Sequence, residues 1–356
     1  MINILVTAIG GGGHGDQILK ALRLAAPGRY RIFGADAKGD RAQASLVEDF
    51  EVLPPARDPE YLDKLFEVCR RWEIQALFHG CEPELKFFAE QREKIEAAGI
   101  FLPINTSQLI HLCMNKAALN KRLDELGFSP PRYAVVSSPE ALASIDWFPL
   151  VVKPSIGSGG SASVYIAQTP KELMSLAEYL GLGETSHDFV IQEYVGRPED
   201  EFTVGVLHDL DGQFVDSIAV RRDLSGGLNV RMVVPNRTTK PELGPRLVIS
   251  SGISQGRIGK FRQLTDQCRE IAESLGSHGP LNMQCRFVDG KVRIFEINPR
   301  YSGTTSLRAM VGLNEPDLMI RYHLLGEQIP RNCDWPETVI ERTLTEHIVK
   351  SGAKET

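Results

Sequence analysis

Short apolar runs alternate with amphipathic stretches through the first 106 residues, and that alternation leaves few architectures open to the chain. Ile4-Leu5-Val6-Thr7 runs into a glycine cluster, a helix is expected from about Gln17 to Ala25, and Tyr30 to Gly34 supplies a second strand. Asp58 and Pro59 open a helix whose Leu62, Leu65, Phe66 and Cys69 recur at helical spacing. Ala76-Leu77-Phe78 is a third strand, followed by a helix through Phe87 and Phe88. Strands joined through helices run parallel, so this unit reads as a mostly parallel, doubly wound α/β sheet.

The pattern changes past residue 106. Ser107 can cap a helix running to Gly127, and Ser129-Pro130-Pro131 makes a stiff connector. Strands at Tyr133 to Val136, Leu150 to Lys153, Ser163 to Ile166 and Phe189 to Glu193 fill a unit ending near Val195. Longer strands follow at Phe202 to Leu207, Phe214 to Val220, Leu281 to Phe287 and Lys291 to Ile297, with helices near Gly259 to Leu275 and Glu315 to Leu325. The expected division is 1–106, 107–195 and 196–330, α/β and then α+β, with 331–356 a peripheral tail. A net charge of −6 without any block of like charge argues against nucleic acid or an anionic membrane as partner. No apolar run approaches the ~20 residues of a membrane span, and Met1 to Val6 reads as a strand rather than a secretion signal. The six cysteines are scattered, which speaks against a zinc site or a disulfide framework, and a cytoplasmic location is expected.

The chemistry is concentrated in Arg293-Ile294-Phe295-Glu296-Ile297-Asn298-Pro299-Arg300. A strand exposes alternate residues on one face, so Glu296 and Asn298 project together. The upstream strand through Gln284 joins it across Val288-Asp289-Gly290-Lys291, a hairpin signal. A two-residue Asp-Gly turn would put Gln284 and Glu296 on opposite faces. A three-residue turn with a left-handed glycine would put them together, and that is the expected one. Gln284, Glu296 and Asn298 on one face would offer hard oxygen ligands to Mg²⁺, and Arg300 adds a planar cationic fork for a phosphoryl oxygen. Taken alone, the string is equally compatible with a surface hairpin.

A second constellation starts at Lys153, at the end of an apolar strand. It leads into Pro154-Ser155-Ile156-Gly157-Ser158-Gly159-Gly160-Ser161, whose backbone N–H groups can cradle phosphate. No Lys-Ser/Thr follows the glycines, so this is not a Walker loop. By itself such a loop is no more than a flexible hairpin tip. Phe189 to Val195 adds a buried strand leading into a polar turn through Glu201.

Together and in this order, these elements resemble the ATP-grasp superfamily, especially its carbamoyl-phosphate-synthetase-like and biotin-carboxylase-like branch, from residue 1 to about 330. The resemblance implies a three-domain fold: a Rossmann-like N-terminal domain, a small lid domain and a C-terminal antiparallel-sheet domain that binds metal. It implies ATP and Mg²⁺ as cofactors, two ions with Mn²⁺ able to substitute, and an ADP-forming carboxylate–amine ligation through an acyl phosphate. Lys116 and Lys153 would grip the phosphates under the loop Gly157, Ser158, Gly159, Gly160 and Ser161. The hinge Gln192, Glu193, Tyr194 and Val195 would hold adenine, and the Glu193 and Glu201 side chains the ribose. Glu296 would bridge two metal ions, with Gln284 on one and Asn298 on the other, and Arg300, Lys153 and Arg222 would act in catalysis. Asn115-Lys116 stands where the family usually has Asp-Lys, and the neutral Gln284 stands where many amino-acid ligases place a carboxylate. With one such module present, carbamoyl phosphate synthesis itself is not expected. A homodimer is a family-level expectation, and the acid and amine are small molecules.

Other readings stay open. Gly10-Gly11-Gly12-Gly13-His14-Gly15 fits G-x-G-x-x-G after a strand, with Asp36 at the distance of a ribose acid, so an NAD-dependent dehydrogenase is a rival. A non-catalytic nucleotide-binding regulator and a kinase that stops at the acyl phosphate are two more. Gly11, Gly12, Glu82, Glu84, Arg231 and Ser302 are candidates for the substrate side. Glu82 and Glu84 are equally able to start a helix. His14, His79, His111 and His347 read as structural.

Overall fold

The computed structural model describes residues 1–157, 163–184 and 188–347. Strands β1 (Ile2–Val6), β2 (Tyr30–Asp36), β3 (Phe50–Val52) and β4 (Ala76–Phe78) form a sheet in the order β3-β2-β1-β4, every pair parallel. Helices α1 (His14–Arg23), α2 (Tyr61–Arg71), α3 (Glu82–Glu90) and α4 (Arg92–Ala97) accompany them. Strand β1 is buried along its whole length because both faces of the sheet are covered. Leu5 and Leu77 pack with Leu65 and Phe88 in one core, while Ile4, Val6 and Phe78 pack with Ile18 and Leu22 in another. The second core also takes in Tyr301 and Ile320, which docks the distant end of the chain on this sheet.

The helix expected from Ser107 to Gly127 is in fact two, α5 (Ser107–Met114) and α6 (Lys116–Glu125). Thr106 rather than Ser107 caps the first. Asn115 breaks the run: its backbone is extended and its Oδ1 accepts from the Ala118 N–H, so a new helix starts there. The cap puts Lys116 at the first helical position. There its N–H donates to the Ser155 carbonyl (2.9 Å), tying the helix start to the root of the glycine-serine loop.

Strands β5 (Tyr133–Val136), β6 (Leu150–Pro154), β7 (Tyr165–Ala167) and β8 (Phe189–Glu193) make an antiparallel sheet in the order β5-β8-β6-β7, backed by α7 (Pro170–Tyr179). After it come β9 (Glu201–His208) and β10 (Phe214–Arg222). The stretch 223–259, which the sequence left unassigned, holds β11 (Val230–Pro235), β12 (Arg246–Ser250) and β13 (Gly256–Gly259). The β11–β12 hairpin packs Leu247 and Ile249 against Ile166 of the preceding four-stranded sheet and Tyr194 just after it. Helix α8 (Arg262–Ser274), strands β14 (Pro280–Val288) and β15 (Lys291–Asn298), helices α9 (Thr305–Met310) and α10 (Glu315–His323) and strand β16 (Thr338–Ile340) complete the chain. The large sheet is antiparallel, ordered β15-β14-β9-β10-β13-β16, with α8 packed on one face through Leu264, Cys268 and Ile271.

The β14–β15 register departs from the expected route and reaches the expected result. Val288 pairs with Lys291, so the turn has two residues, Asp289 and Gly290, both at positive φ (51° and 72°). A regular ladder from that turn would separate Gln284 from Glu296. A bulge between Gln284 and Cys285 shifts the partner strand by one residue at Phe295, and Gln284 pairs with Glu296 after all. Val292 and Ile294 face the α8 core before the bulge, and Ile297 faces it after.

Candidate active site

The face of β14 and β15 away from α8 carries Asn282, Gln284 and Arg286 opposite Asn298 and Glu296. Glu296 Oε1 accepts from Asn298 Nδ2 (3.1 Å), and Asn298 Oδ1 accepts from Arg300 Nη2 (3.3 Å). The same Arg300 nitrogen donates to Glu82 Oε1 (3.0 Å), so the arginine bridges the hairpin and the N-terminal sheet. Lys153 Nζ donates to Gln192 Oε1 (2.8 Å) and to the carbonyl of Phe295 (2.7 Å), the bulge residue. Burial pushes the Lys153 pKa down to about 7; Glu296 opposes that shift and Lys116 adds to it.

The hinge after β8 is held by a residue the sequence reading passed over. Arg286 Nη1 donates to the carbonyls of Val195 (3.0 Å) and Gly196 (3.1 Å), and its guanidinium lies 4.2 Å over the Tyr194 ring. The Val195 N–H has no hydrogen-bond partner among the described residues. Glu201 is buried between two arginines: Arg222 Nη1 donates to Oε1 (3.4 Å) and Arg286 Nη2 to Oε2 (3.1 Å). Arg222 is itself fixed by Ser250 Oγ and by the carbonyls of Ser251 and Ile253. Glu193 pairs with Lys240 at 3.0 Å, a contact that also ties the hinge to the chain following β11.

Three cavities meet at one carboxylate. The first lies between Lys153, Gln192 to Val195, Glu201, Gln284, Arg286 and the β12 residues Val248 to Ser250. The second, about 590 Å³, is bounded by Glu82, His111, Lys116, Gly157, Asn298 and Arg300. The third, about 80 Å³ and strongly polar, lies between Thr203, Arg222, Asn282, Gln284, Arg300 and Ser302. Glu296 lines all three.

Other sequence candidates fall elsewhere. Ser158, Gly159, Gly160 and Ser161 lie outside the described residues. Glu84 is not an open ligand: Thr7 Oγ1, the Gly80 N–H and the Tyr61 hydroxyl all donate to its buried carboxylate. Two helical steps turn the side chain about 200°, so Glu84 faces away from Glu82. Arg231 is exposed on β11 and lines none of these cavities. Nor do Gly11 and Gly12. The Gly12 N–H donates to Asp16 Oδ2 (2.7 Å), which occupies a donor that a pyrophosphate would need. Asp36 pairs with Arg41 Nε (2.9 Å), and the arginine crowds Gly10, so the ribose acid of a dinucleotide site is also engaged. His79 is buried and His14 half-buried, their rings edge to face 5.5 Å apart, and neither lines a cavity of the site; desolvation and nearby Arg300 hold both well below the usual histidine range. Asn282 and Arg286 could have been found from the alternation alone, since they flank Gln284 at two residues on either side.

Comparison with known proteins agrees with this geometry. Residues 4–103 match the family described as PylC-like, N-terminal domain, and residues 246–346 match ATP-grasp in the biosynthetic pathway with Ter operon. The chain is 24% identical over 242 residues to the carbamoyl phosphate synthase large chain of Pyrococcus furiosus, covering 66% of this chain but only 21% of that one. It therefore spans about a fifth of the length of such relatives. It is 26% identical over 333 residues to the formate-dependent phosphoribosylglycinamide formyltransferase of a Synechococcus species, covering 90% of this chain and 76% of the relative. The solved N5-carboxyaminoimidazole synthetase of Staphylococcus aureus, complexed with ADP, superposes with a TM-score of 0.64 over 95% of this chain and 80% of that one, at 16% identity. A doubly wound domain, a four-stranded antiparallel sheet and a larger antiparallel sheet presenting Gln284, Glu296, Asn298 and Arg300 at one cleft agree with these likenesses: the chain has the ATP-grasp fold.

Proposed function

We propose that the protein is an ATP- and Mg²⁺-dependent carboxylate–amine ligase that activates its acid as an acyl phosphate. The observation that carries this reading is the position of Glu296, at the junction of a nucleotide-side cavity and two cavities lined by Arg300. The unpaired Val195 N–H suits an adenine acceptor, Lys153 and Lys116 suit phosphates, and the polar pocket with Arg222 and Arg300 suits a carboxylate. The amine would approach through the wider cavity past Glu82, and ADP and phosphate would leave.

Among the described residues no group of three His, Cys, Asp or Glu side chains is placed to hold a metal. The oxygen set of Gln284, Glu296 and Asn298, with its single carboxylate, fits Mg²⁺, which takes much of its coordination from phosphate and water. Bound there, the metal would neutralise the charge that gathers during phosphoryl transfer. Arg300 would steady the transferring group, and Lys153 would fix the phosphates. Among the described residues no helix is long and apolar enough to cross a membrane.

The test is ADP formation from Mg-ATP with pooled carboxylates, with and without pooled amines. Release that requires both pools supports ligation. Turnover with carboxylate alone points to a kinase, and absence of ATP binding removes the reading altogether. A second expectation concerns pH. Lys153 loses its proton near pH 7 in the free protein, whereas phosphate beside it favours the charged form. ATP binding at pH 8 is therefore expected to take up close to one proton, and affinity is expected to fall up to tenfold per pH unit above 7. Calorimetry in buffers of different ionisation enthalpy reads the uptake, and a proton-neutral result at pH 8 would contradict it.

A further inference from the structure

We infer that Arg308 is a positioning residue that fixes the Asn282 carboxamide with its N–H groups toward the oxyanion of the acid substrate; this rests on the ligase reading above. Asn282 lines the small polar cavity together with Arg222, Arg300 and Ser302. Its Oδ1 accepts from two donors, Arg308 Nη2 (2.7 Å) and Thr203 Oγ1 (2.9 Å). A guanidinium has no acceptor, so the amide oxygen must be the end that meets Arg308, and the NH₂ is the end left over. That NH₂ donates to no group among the described residues, while the cavity beside it holds an arginine pair of the kind that receives a carboxylate or acyl phosphate.

The surroundings of Arg308 are arranged to keep it in place. Its side chain and that of Glu315 are wholly buried, and Nη1 donates to both Glu315 oxygens (3.0 and 3.2 Å). The Thr305 hydroxyl donates to the same carboxylate (3.3 Å). Strand β9 leaves room with Gly205, where a Cβ would stand 2.3 Å from Arg308 Nη1. A buried ion pair adds little over apolar residues of equal volume, so stability alone does not account for this one. Holding one amide in one orientation, next to the reacting carboxylate, does account for it. Asn282 would then present a fixed donor where negative charge develops, with no reorientation needed during the reaction.

The experiment compares the wild type with Thr203→Val and with the paired change Arg308→Met, Glu315→Leu, which leaves no unpaired charge in the core. Each is assayed for Mg-ATP affinity and for ADP formation with formate, bicarbonate, acetate and the common L-amino acids, with pooled amines present. The expected result is a rise of tenfold or more in the KM for the stimulating acid and a lower kcat, with the Mg-ATP Kd within twofold of wild type. A general structural defect would move both ligands together. Wild-type kcat and KM in a paired variant that melts cooperatively would overturn the inference, and if that variant does not fold, wild-type constants in Thr203→Val do the same. A wild type that binds Mg-ATP but responds to none of these acids would count against the ligase reading and take the inference with it.

Discussion

Glu296→Gln is expected to lower ADP formation by about a thousandfold or more while leaving the chain folded. The substitution keeps the side-chain length and an oxygen for Asn298 Nδ2, so the ladder between β14 and β15 has no reason to open. What it removes is the negative charge at the meeting point of the three cavities. Gln284 and Asn298 are neutral, so no other carboxylate among the three proposed ligands can replace it. Losing one preorganised neutral donor costs enzymes ~10² to 10³ in kcat, and losing the charge that holds a metal against phosphates is the larger insult. Turnover with the acid and amine pools, measured beside thermal melting, checks it. Activity within tenfold of wild type would remove Glu296 from the centre of the site.

The second large effect is at Lys153. Lys153→Met is expected to abolish turnover and weaken Mg-ATP binding by at least about tenfold, since the buried ammonium is the phosphate contact proposed above. The same change alters stability with a definite sign. The unfolded lysine keeps its proton to about pH 10.5, whereas the folded one releases it near 7. The folded state therefore carries a penalty that is complete below pH 7 and fades as pH rises toward 10.5. Methionine has no such penalty, though it strands two acceptors, Gln192 Oε1 and the Phe295 carbonyl. Relative to wild type, the variant should be favoured by roughly 3 kcal/mol more at pH 7 than at pH 9.5, about 1.4 kcal/mol for each pH unit. Denaturant unfolding of both proteins at the two pH values measures this, and parallel stability curves would show that Lys153 is not desolvated.

Much of this was legible in the residues. The parallel sheet of the first hundred positions follows from apolar runs separated by amphipathic helices, and alternation along one strand puts Glu296 and Asn298 on one face; that Gln284 joins them depends on a bulge the sequence did not announce. Lys153 was marked by the apolar strand it ends and the glycine-serine loop that follows, whereas Lys116 was picked out only by its place in an ordered series. Other features were hidden for physical reasons. Arg222, Glu201 and Arg286 form a charged cluster through contacts across β9, β10 and β14, and such long-range pairing leaves no periodic trace. The β11–β12 hairpin escaped because its packing partner is the lid sheet, far away in sequence. Asn115 was readable as a cap only once the helix was known to break there. Glu84 looked as available as Glu82 because two acidic residues two positions apart give no hint of which one a tyrosine and a threonine will claim.

The bulge at Phe295 has a further consequence for engineering. Glu296 stands twelve positions after Gln284, and that interval can be closed in two ways: a three-residue turn with an unbroken ladder, or the two-residue turn seen here with the odd residue stored at the bulge. Both leave the same side chains on the same face, so the storage place is interchangeable as far as the proposed oxygen ligands are concerned. It is not interchangeable for Lys153, whose ammonium is anchored by the very carbonyl that the stored residue turns out of the ladder. Moving the odd residue from position 295 into the turn would separate two contacts now set by one irregularity, releasing the lysine while Gln284, Glu296 and Asn298 stay on one face.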